Sequence, residues 1–239
     1  MPGYRTKQQR IAIAGVDDLL IRSLFDRREF FDPHGDADRL GISSANWPMF
    51  GLPWPSGERL AARLARRPVR AGERILEIGC GLALASLVGH RRGADVTASD
   101  CHPLAESFLL ENLRLNALAP LKYRHGRWSD SPPLRLEAAL SVLQGRFDLV
   151  IGSDLLYEPD AGGALASFIS AHVTDQGEVW IIDPDRSNRP AFNRRMASLG
   201  FLMHEERLKR LEGAGGAAFR GRLLTFRRPT DAAIIHQPQ

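Results

Sequence analysis

From residue 73 to residue 200 the apolar positions alternate between two patterns. Short, nearly solid aliphatic runs at 73–79, 94–100, 121–125, 147–153 and 177–183 read as strands buried on both faces. Between them, 82–92, 103–117, 161–172 and 189–198 carry apolar residues three and four apart and read as helices. An irregular stretch, 126–136, precedes an apolar-leaning helix expected around 137–144. Alternation of this kind predicts a parallel sheet with helices on both faces. The pattern changes at the end, where Phe201 to Lys209 and Ala218 to Arg227 flank Gly213-Ala214-Gly215-Gly216 as an antiparallel hairpin. Upstream, Val16 to Leu24 has helical spacing of apolar positions, and Trp47 to Gly57, rich in aromatics and breakers, reads as a loop. A helix follows from Glu58 to Arg67, with Leu60 and Leu64 on one face, and ends before Pro68. The pattern divides into an N-terminal extension (1–45), one main domain (46–229) and a frayed tail (230–239).

Composition narrows the class. The 239 residues, 44% hydrophobic and 25% charged, suit a globular enzyme domain. No apolar run approaches the roughly 18 residues of a membrane span, and Ile11-Ala12-Ile13-Ala14 is too short for a signal-peptide core. A cytoplasmic location follows as the default. With Cys80 and Cys101 alone, neither a disulfide framework nor a cysteine metal site is expected, and no metal is assigned. The net charge is +4. Its arginine pairs (27–28, 66–67, 91–92, 194–195, 227–228) are scattered and read as solvated faces. The alternative is a surface that attracts an acidic protein or nucleic acid.

The chemistry concentrates at strand tips, beyond which open α/β sheets bind their ligands. Arg74 to Ala83 reads as a strand breaking into a glycine turn, Gly79-Cys80-Gly81, that opens a helix. Glycines let backbone approach a ligand closely, and a helix amino end offers free N–H groups. Asp100 ends the next strand, 23 residues after Glu77, where an acid is placed to bind ribose hydroxyls. A nucleoside-containing cofactor is therefore expected. The dinucleotide fingerprint G-x-G-x-x-G fails at Leu84. Glu77 is also wrong for a pyrophosphate, which it would repel, and right for a cationic group.

Leu76-Glu77-Ile78-Gly79-Cys80-Gly81 resembles motif I of the class I S-adenosylmethionine-dependent methyltransferases. Phe147-Asp148-Leu149-Val150 through Asp154-Leu155-Leu156-Tyr157 resembles the D-x-x-Y motif of the family 16 seven-strand members, many of which modify protein lysines. Leu52 to Leu60 is similar to the Trp-containing stretch before motif I in that family. The likeness covers about 47–200 and runs toward the electron-transfer-flavoprotein β-subunit lysine methyltransferase branch and its bacterial relatives. It implies a Rossmann-like, doubly wound, mostly parallel seven-stranded sheet with a C-terminal antiparallel hairpin. It implies S-adenosyl-L-methionine as cofactor, held by Trp54, Glu77, Gly79, Cys80, Gly81, Asp100, Trp128 and Ser153, with Asp154 and Tyr157 catalytic. Two positions depart from the family. Ala83 replaces a third glycine, tolerable where the backbone is helical, and Arg127 stands before Trp128 where relatives often have an acid.

Several residues carry a plainer reading beside the functional one. The adenine contact is made by Trp128 alone or by Asp130, and the plainer reading is that Trp128 packs under the sheet edge. Trp54 meets cofactor or substrate, or anchors its loop. Trp47 is structural. Asp154 and Tyr157 orient an amine, or cap a helix after the fourth strand. His102 caps the following helix or lies beside adenine, and Asp183 pairs with Arg186. The expected activity is methyl transfer to protein lysine. The alternatives are a small-molecule N- or O-methyltransferase, whose site residues 1–50 would lid, and a non-catalytic cofactor-binding regulatory protein. The N-P-P-[YF]-like motif of base-amino methylation is missing at Ser153 to Tyr157, which argues against nucleic acid. No membrane partner is expected, and the pattern assigns no oligomeric state.

Overall fold

A computed structural model describes residues 3–128, 141–159, 162–210 and 218–229. The chain opens with an antiparallel pair, β1 (Thr6–Ile11) and β2 (Leu19–Leu24). A short α1 (Asp36–Arg39) and a 3-10 turn over Trp47–Gly51 lead into α2 (Pro55–Arg66). The main domain then runs β3 (Arg74–Ile78), α3 (Leu84–Arg91), β4 (Asp95–Asp100), α4 (Ala105–Leu115) and β5 (Lys122–His125). It continues through β6 (Phe147–Ser153), α5 (Ala164–His172), β7 (Val173–Asp183), α6 (Arg189–Ser198), β8 (Leu202–Arg210) and β9 (Phe219–Arg227).

The seven strands order as β5-β4-β3-β6-β7-β9-β8. The first five are parallel and the terminal hairpin adds antiparallel to β7. This is the Rossmann-like sheet with a C-terminal antiparallel hairpin that the sequence predicts. Successive strand residues point to opposite faces. Ile75, Leu149, Ile151 and Ile182 therefore pack with α2, α3, α4 and the β1–β2 pair. Leu76, Ile78, Val150 and Ile181 pack with Leu165 of α5 and Phe192 and Met196 of α6. Both faces are apolar because both are covered.

Four local expectations need correcting. Val16 to Leu24 is not a helix: residues 19–24 form β2, with Leu19, Ile21 and Ser23 buried and Leu20 and Arg22 only partly so. That period of two suits a strand, and six residues are too few for apolar spacing alone to separate helix from strand. The stretch 47–57 is not all loop, since Pro48 opens the 3-10 turn and Pro55 occupies the first turn of α2, where its missing N–H costs nothing. Strand β7 starts at Val173, directly where α5 ends. Of the helix expected at 137–144, residues 137–140 lie outside the described residues. Residues 141–144 are not helical, and Val142 bridges to His125 instead. The glycine turn 213–216 and the tail 230–239 also fall outside the described residues. Among those described, no helix is long and apolar enough to cross a membrane.

Candidate active site

Strand order reverses between β4 and β6, on either side of β3. Ligands of doubly wound sheets bind at such a switch point, beyond the carboxyl ends of the strands. A cleft of about 870 Å³ opens there. All ten residues assigned to cofactor or catalysis line it: Trp54, Glu77, Gly79, Cys80, Gly81, Asp100, Trp128, Ser153, Asp154 and Tyr157.

The glycine turn is built by left-handed backbone, with φ of 54° at Gly79 and 51° at Gly81. A Cβ on Gly79 would lie 2.5 Å from Leu155 Cδ2, and one on Gly81 would lie 2.7 Å from the Phe50 carbonyl oxygen. Ala83 is also left-handed, at φ 57° and ψ 38°, not helical as its tolerance required. A non-glycine residue pays about 1–2 kcal/mol for that conformation. Cys80 donates its N–H to the Ser99 carbonyl at 3.0 Å, and burial pushes its thiol well above the ordinary range, which leaves it no nucleophile.

Asp100 ties two loops together. Its Oδ2 accepts the Gly81 N–H and its Oδ1 the His102 N–H, both at 2.8 Å. Burial raises its pKa, and the backbone donors pull it back. His102 Nδ1 accepts the Leu104 N–H just ahead of α4, while the ring stacks on Phe50 at 3.6 Å. Burial drops its pKa to about 3, so the ring is neutral. Glu77 is 3% exposed. Its Oε2 accepts the Ser86 N–H at 2.7 Å and also bonds the Ser86 hydroxyl. Burial lifts its carboxyl to about 7 despite those donors.

Trp54 and Trp128 each make a packing contact and also line the cleft. Trp54 Nε1 donates to the Met49 carbonyl at 2.9 Å, anchoring its loop while its ring lines the cleft. Trp128 packs edge-on to Phe168 of α5 and turns its other side to the cleft. Trp47, 1% exposed, is a core residue packed among Tyr4, Phe30, Phe50 and His102. Asp130 lies outside the described residues.

Beyond β6, Asp154 is left-handed, with φ 59°, a conformation Asp tolerates better than most residues. Its N–H donates to the Ile182 carbonyl at 2.9 Å. Among the described residues no helix starts directly after it, α5 beginning only at Ala164, so Asp154 does not cap a helix there. Its Oδ1 accepts Arg186 Nε at 3.0 Å and a terminal guanidinium nitrogen at 2.6 Å. Its Oδ2 accepts the Ser56 hydroxyl at 3.1 Å. The expected Asp183–Arg186 ion pair is therefore not formed: Arg186 gives Asp183 only its backbone N–H, at 2.9 Å. Tyr157 sits on the rim, 47% exposed. Burial of the rest, with nearby acids, raises its phenol above the ordinary value.

Sequence reasoning missed Ser56, Phe50 and Arg27. Ser56 follows the first-turn Pro55, a start signal that would have placed it over the strand tips. Phe50 and Arg27, which lies 5.5 Å over the Trp54 ring, come from the N-terminal segment. No local pattern marks either.

A family model described as lysine methyltransferase matches residues 54–195, more than half of the chain. The electron transfer flavoprotein beta subunit lysine methyltransferase of Mus musculus is 26% identical over 191 residues, covering 78% of this chain and 69% of its own length. The calmodulin-lysine N-methyltransferase of Arabidopsis thaliana is 30% identical over 111 residues, 44% of this chain and 34% of that one. The crystal structure of a ribosomal protein L11 methylase from Lactobacillus delbrueckii subsp. bulgaricus superposes with a TM-score of 0.53 at 20% identity, covering 75% and 81% of the two chains, a likeness of fold.

Proposed function

The chain belongs to the lysine methyltransferase family, and from that premise we propose that it moves a methyl group from S-adenosyl-L-methionine to the side-chain amine of a protein lysine, in the cytoplasm. The chemistry of the cleft fits this cofactor. The Asp100 carboxylate matches ribose hydroxyls, the Trp128 ring matches adenine, and Glu77 lies on the same cleft as an acceptor for the cationic amino-acid end. The glycine turn, with Cys80 and Ser153, would hold the cofactor through close backbone approach. When bound, the cofactor would supply a methyl carbon on a sulfonium: the lysine ammonium would first lose one proton to solvent, and N–C bond formation by the Nζ lone pair, with the C–S pair returning to sulfur, would leave a methylammonium.

The protein's own residues have little covalent work in such a displacement; positioning and electrostatics carry most of the rate. Asp154 accepts an amine hydrogen and aims the lone pair, with Tyr157 beside it on the rim. The N-terminal segment forms one wall of the cleft, so residues 54–195 bring the motifs while Arg27 to Phe50 shape the entrance. The two curated relatives described above act, by their names, on proteins, which supports a protein substrate; an electron transfer flavoprotein β subunit is the first substrate to try. The small-molecule and non-catalytic readings are not favoured by this company.

The observation that carries the proposal is Asp154, held at a strand tip on the same cleft wall as Asp100 and the glycine turn. Single-turnover transfer of labelled methyl to that β subunit, or to lysate protein, tests it. Asp154→Asn is expected to keep affinity for S-adenosylhomocysteine and to lose about tenfold to a thousandfold in rate, because a weaker acceptor and an unopposed Arg186 charge both act against the transition state. Tyr157→Phe costs less. No lysine-borne label with the unaltered protein, or wild-type rate in Asp154→Asn, overturns the reading.

A further inference from the structure

A methyl-accepting amine has to be free of its extra proton, and a bare carboxylate beside it would favour the wrong form. An ordinary lysine has a pKa of about 10.4, so about one in a thousand is reactive at neutral pH. A lone negative charge a few ångströms away stabilises the ammonium and makes that fraction smaller. In this structure the carboxylate proposed to meet the amine is not bare. The Arg186 guanidinium sits on Asp154 Oδ1 through two contacts, at 3.0 and 2.6 Å. The pair is largely withdrawn from solvent on the Asp154 side, whose side chain is 11% exposed. With Ser56 on Oδ2, the open acceptor position of the carboxylate is the second lone pair of Oδ2. Arg186 itself lines the cleft.

We propose that Arg186 is a positioning residue for methyl transfer: it turns Asp154 into a charge-neutral acceptor that orients the lysine amine through Oδ2 without holding it as ammonium. The inference rests on the lysine reading above. Other charges face the same point. Asp183, at the end of β7, binds the Arg186 N–H and lies 3.9 Å from Arg189. Glu158 and Tyr157 come from the loop of Asp154 itself, with Glu158 bonded to Asn46. Glu77, Asp100, Cys101, Arg27, Arg39 and Arg127 line the rest of the cleft. None of these touches the Asp154 carboxylate, whose described hydrogen-bond partners are Arg186 and Ser56.

The test is the pH profile of single-turnover methyl transfer from tritiated S-adenosylmethionine, followed from pH 6.5 to 10 on the protein substrate that the unaltered chain labels. Arg186→Gln leaves the Asp154 charge unbalanced. At an effective dielectric near 20, a unit charge about 4–6 Å away changes the free-amine fraction roughly a hundredfold to a thousandfold. The rate at pH 7.5 should fall by about that factor and recover as pH rises, the profile moving up by about two to three pH units. Arg186→Lys should keep the wild-type midpoint. Asp154→Asn leaves the Arg186 charge unbalanced, so its slower reaction should have a midpoint moved the other way. If Arg186→Gln does not fold, that opposite shift stands as the test. Equal loss at every pH, or an unmoved midpoint, overturns the role of Arg186 while the lysine reading stands. An unaltered protein that labels no lysine overturns both.

Discussion

Glu77 is a buried carboxyl held at a cost to the fold. Its carboxyl is lifted from 4.5 to about 7, chiefly by burial, so the folded protein keeps a proton there that the unfolded chain has already lost. Between those two values the native state binds more protons, and the stability drawn from this group falls as pH rises. The interval corresponds to about 3 kcal/mol. Glu77→Gln mimics the protonated acid and can still accept from Ser86. Urea denaturation should show little change at pH 5 and a gain of up to about 3 kcal/mol at pH 8, while affinity for the cationic cofactor falls. Equal stability differences at both pH values would refute the charge-burial account.

At the scale of elements, β2 depends on a helix for its free edge. Asn112 of α4 and Asn116, which caps its carboxyl end, stand four residues apart, about 6 Å along the axis. Leu20 and Arg22 stand two apart on a strand, about 6.8 Å. The two spacings nearly match, so Asn116 Oδ1 accepts the Leu20 N–H at 2.9 Å and Asn112 Oδ1 accepts the Arg22 N–H at 2.8 Å. Asn116 Nδ2 also donates to the Leu20 carbonyl at 2.8 Å. Asn116→Ala would strand an N–H and a carbonyl at this contact, and a loss of about 2–4 kcal/mol is expected in denaturant titration. A loss below 0.5 kcal/mol would mean water replaces the amide freely.

Over the whole molecule, the N-terminal segment packs directly on the glycine turn. Phe50 stacks on His102 and meets Phe108 of α4 edge-on, while its carbonyl oxygen fills the space that a side chain would need on Gly81, the residue whose N–H Asp100 holds. Gly81→Ala therefore meets two penalties, left-handed backbone and a Cβ 2.7 Å from a carbonyl oxygen. The expected result is at least about 2 kcal/mol of lost stability and more than a tenfold loss of S-adenosylhomocysteine affinity in calorimetry. Wild-type affinity in this variant would show that the turn moves independently of the segment above it.

The sequence by itself determined the alternating core, the hairpin at its end and the positions of Gly79, Gly81, Asp100 and Asp154, because those depend on periodicity, on backbone freedom and on where strands stop. Strands β6 and helix α6 fall on the residues expected. Tertiary structure alone decided the rest. Residues 19–24 became a strand through pairing with β1 and with two asparagines some ninety residues away, partners that no local pattern contains. Arg186 left Asp183 for Asp154, 32 residues distant in the chain, because the ends of β6 and β7 lie side by side. Phe50 and Arg27 reached the cleft through packing of the N-terminal segment. Local sequence sets which conformations a segment favours; which charges and rings finally meet is set by how the sheet brings its strand ends together.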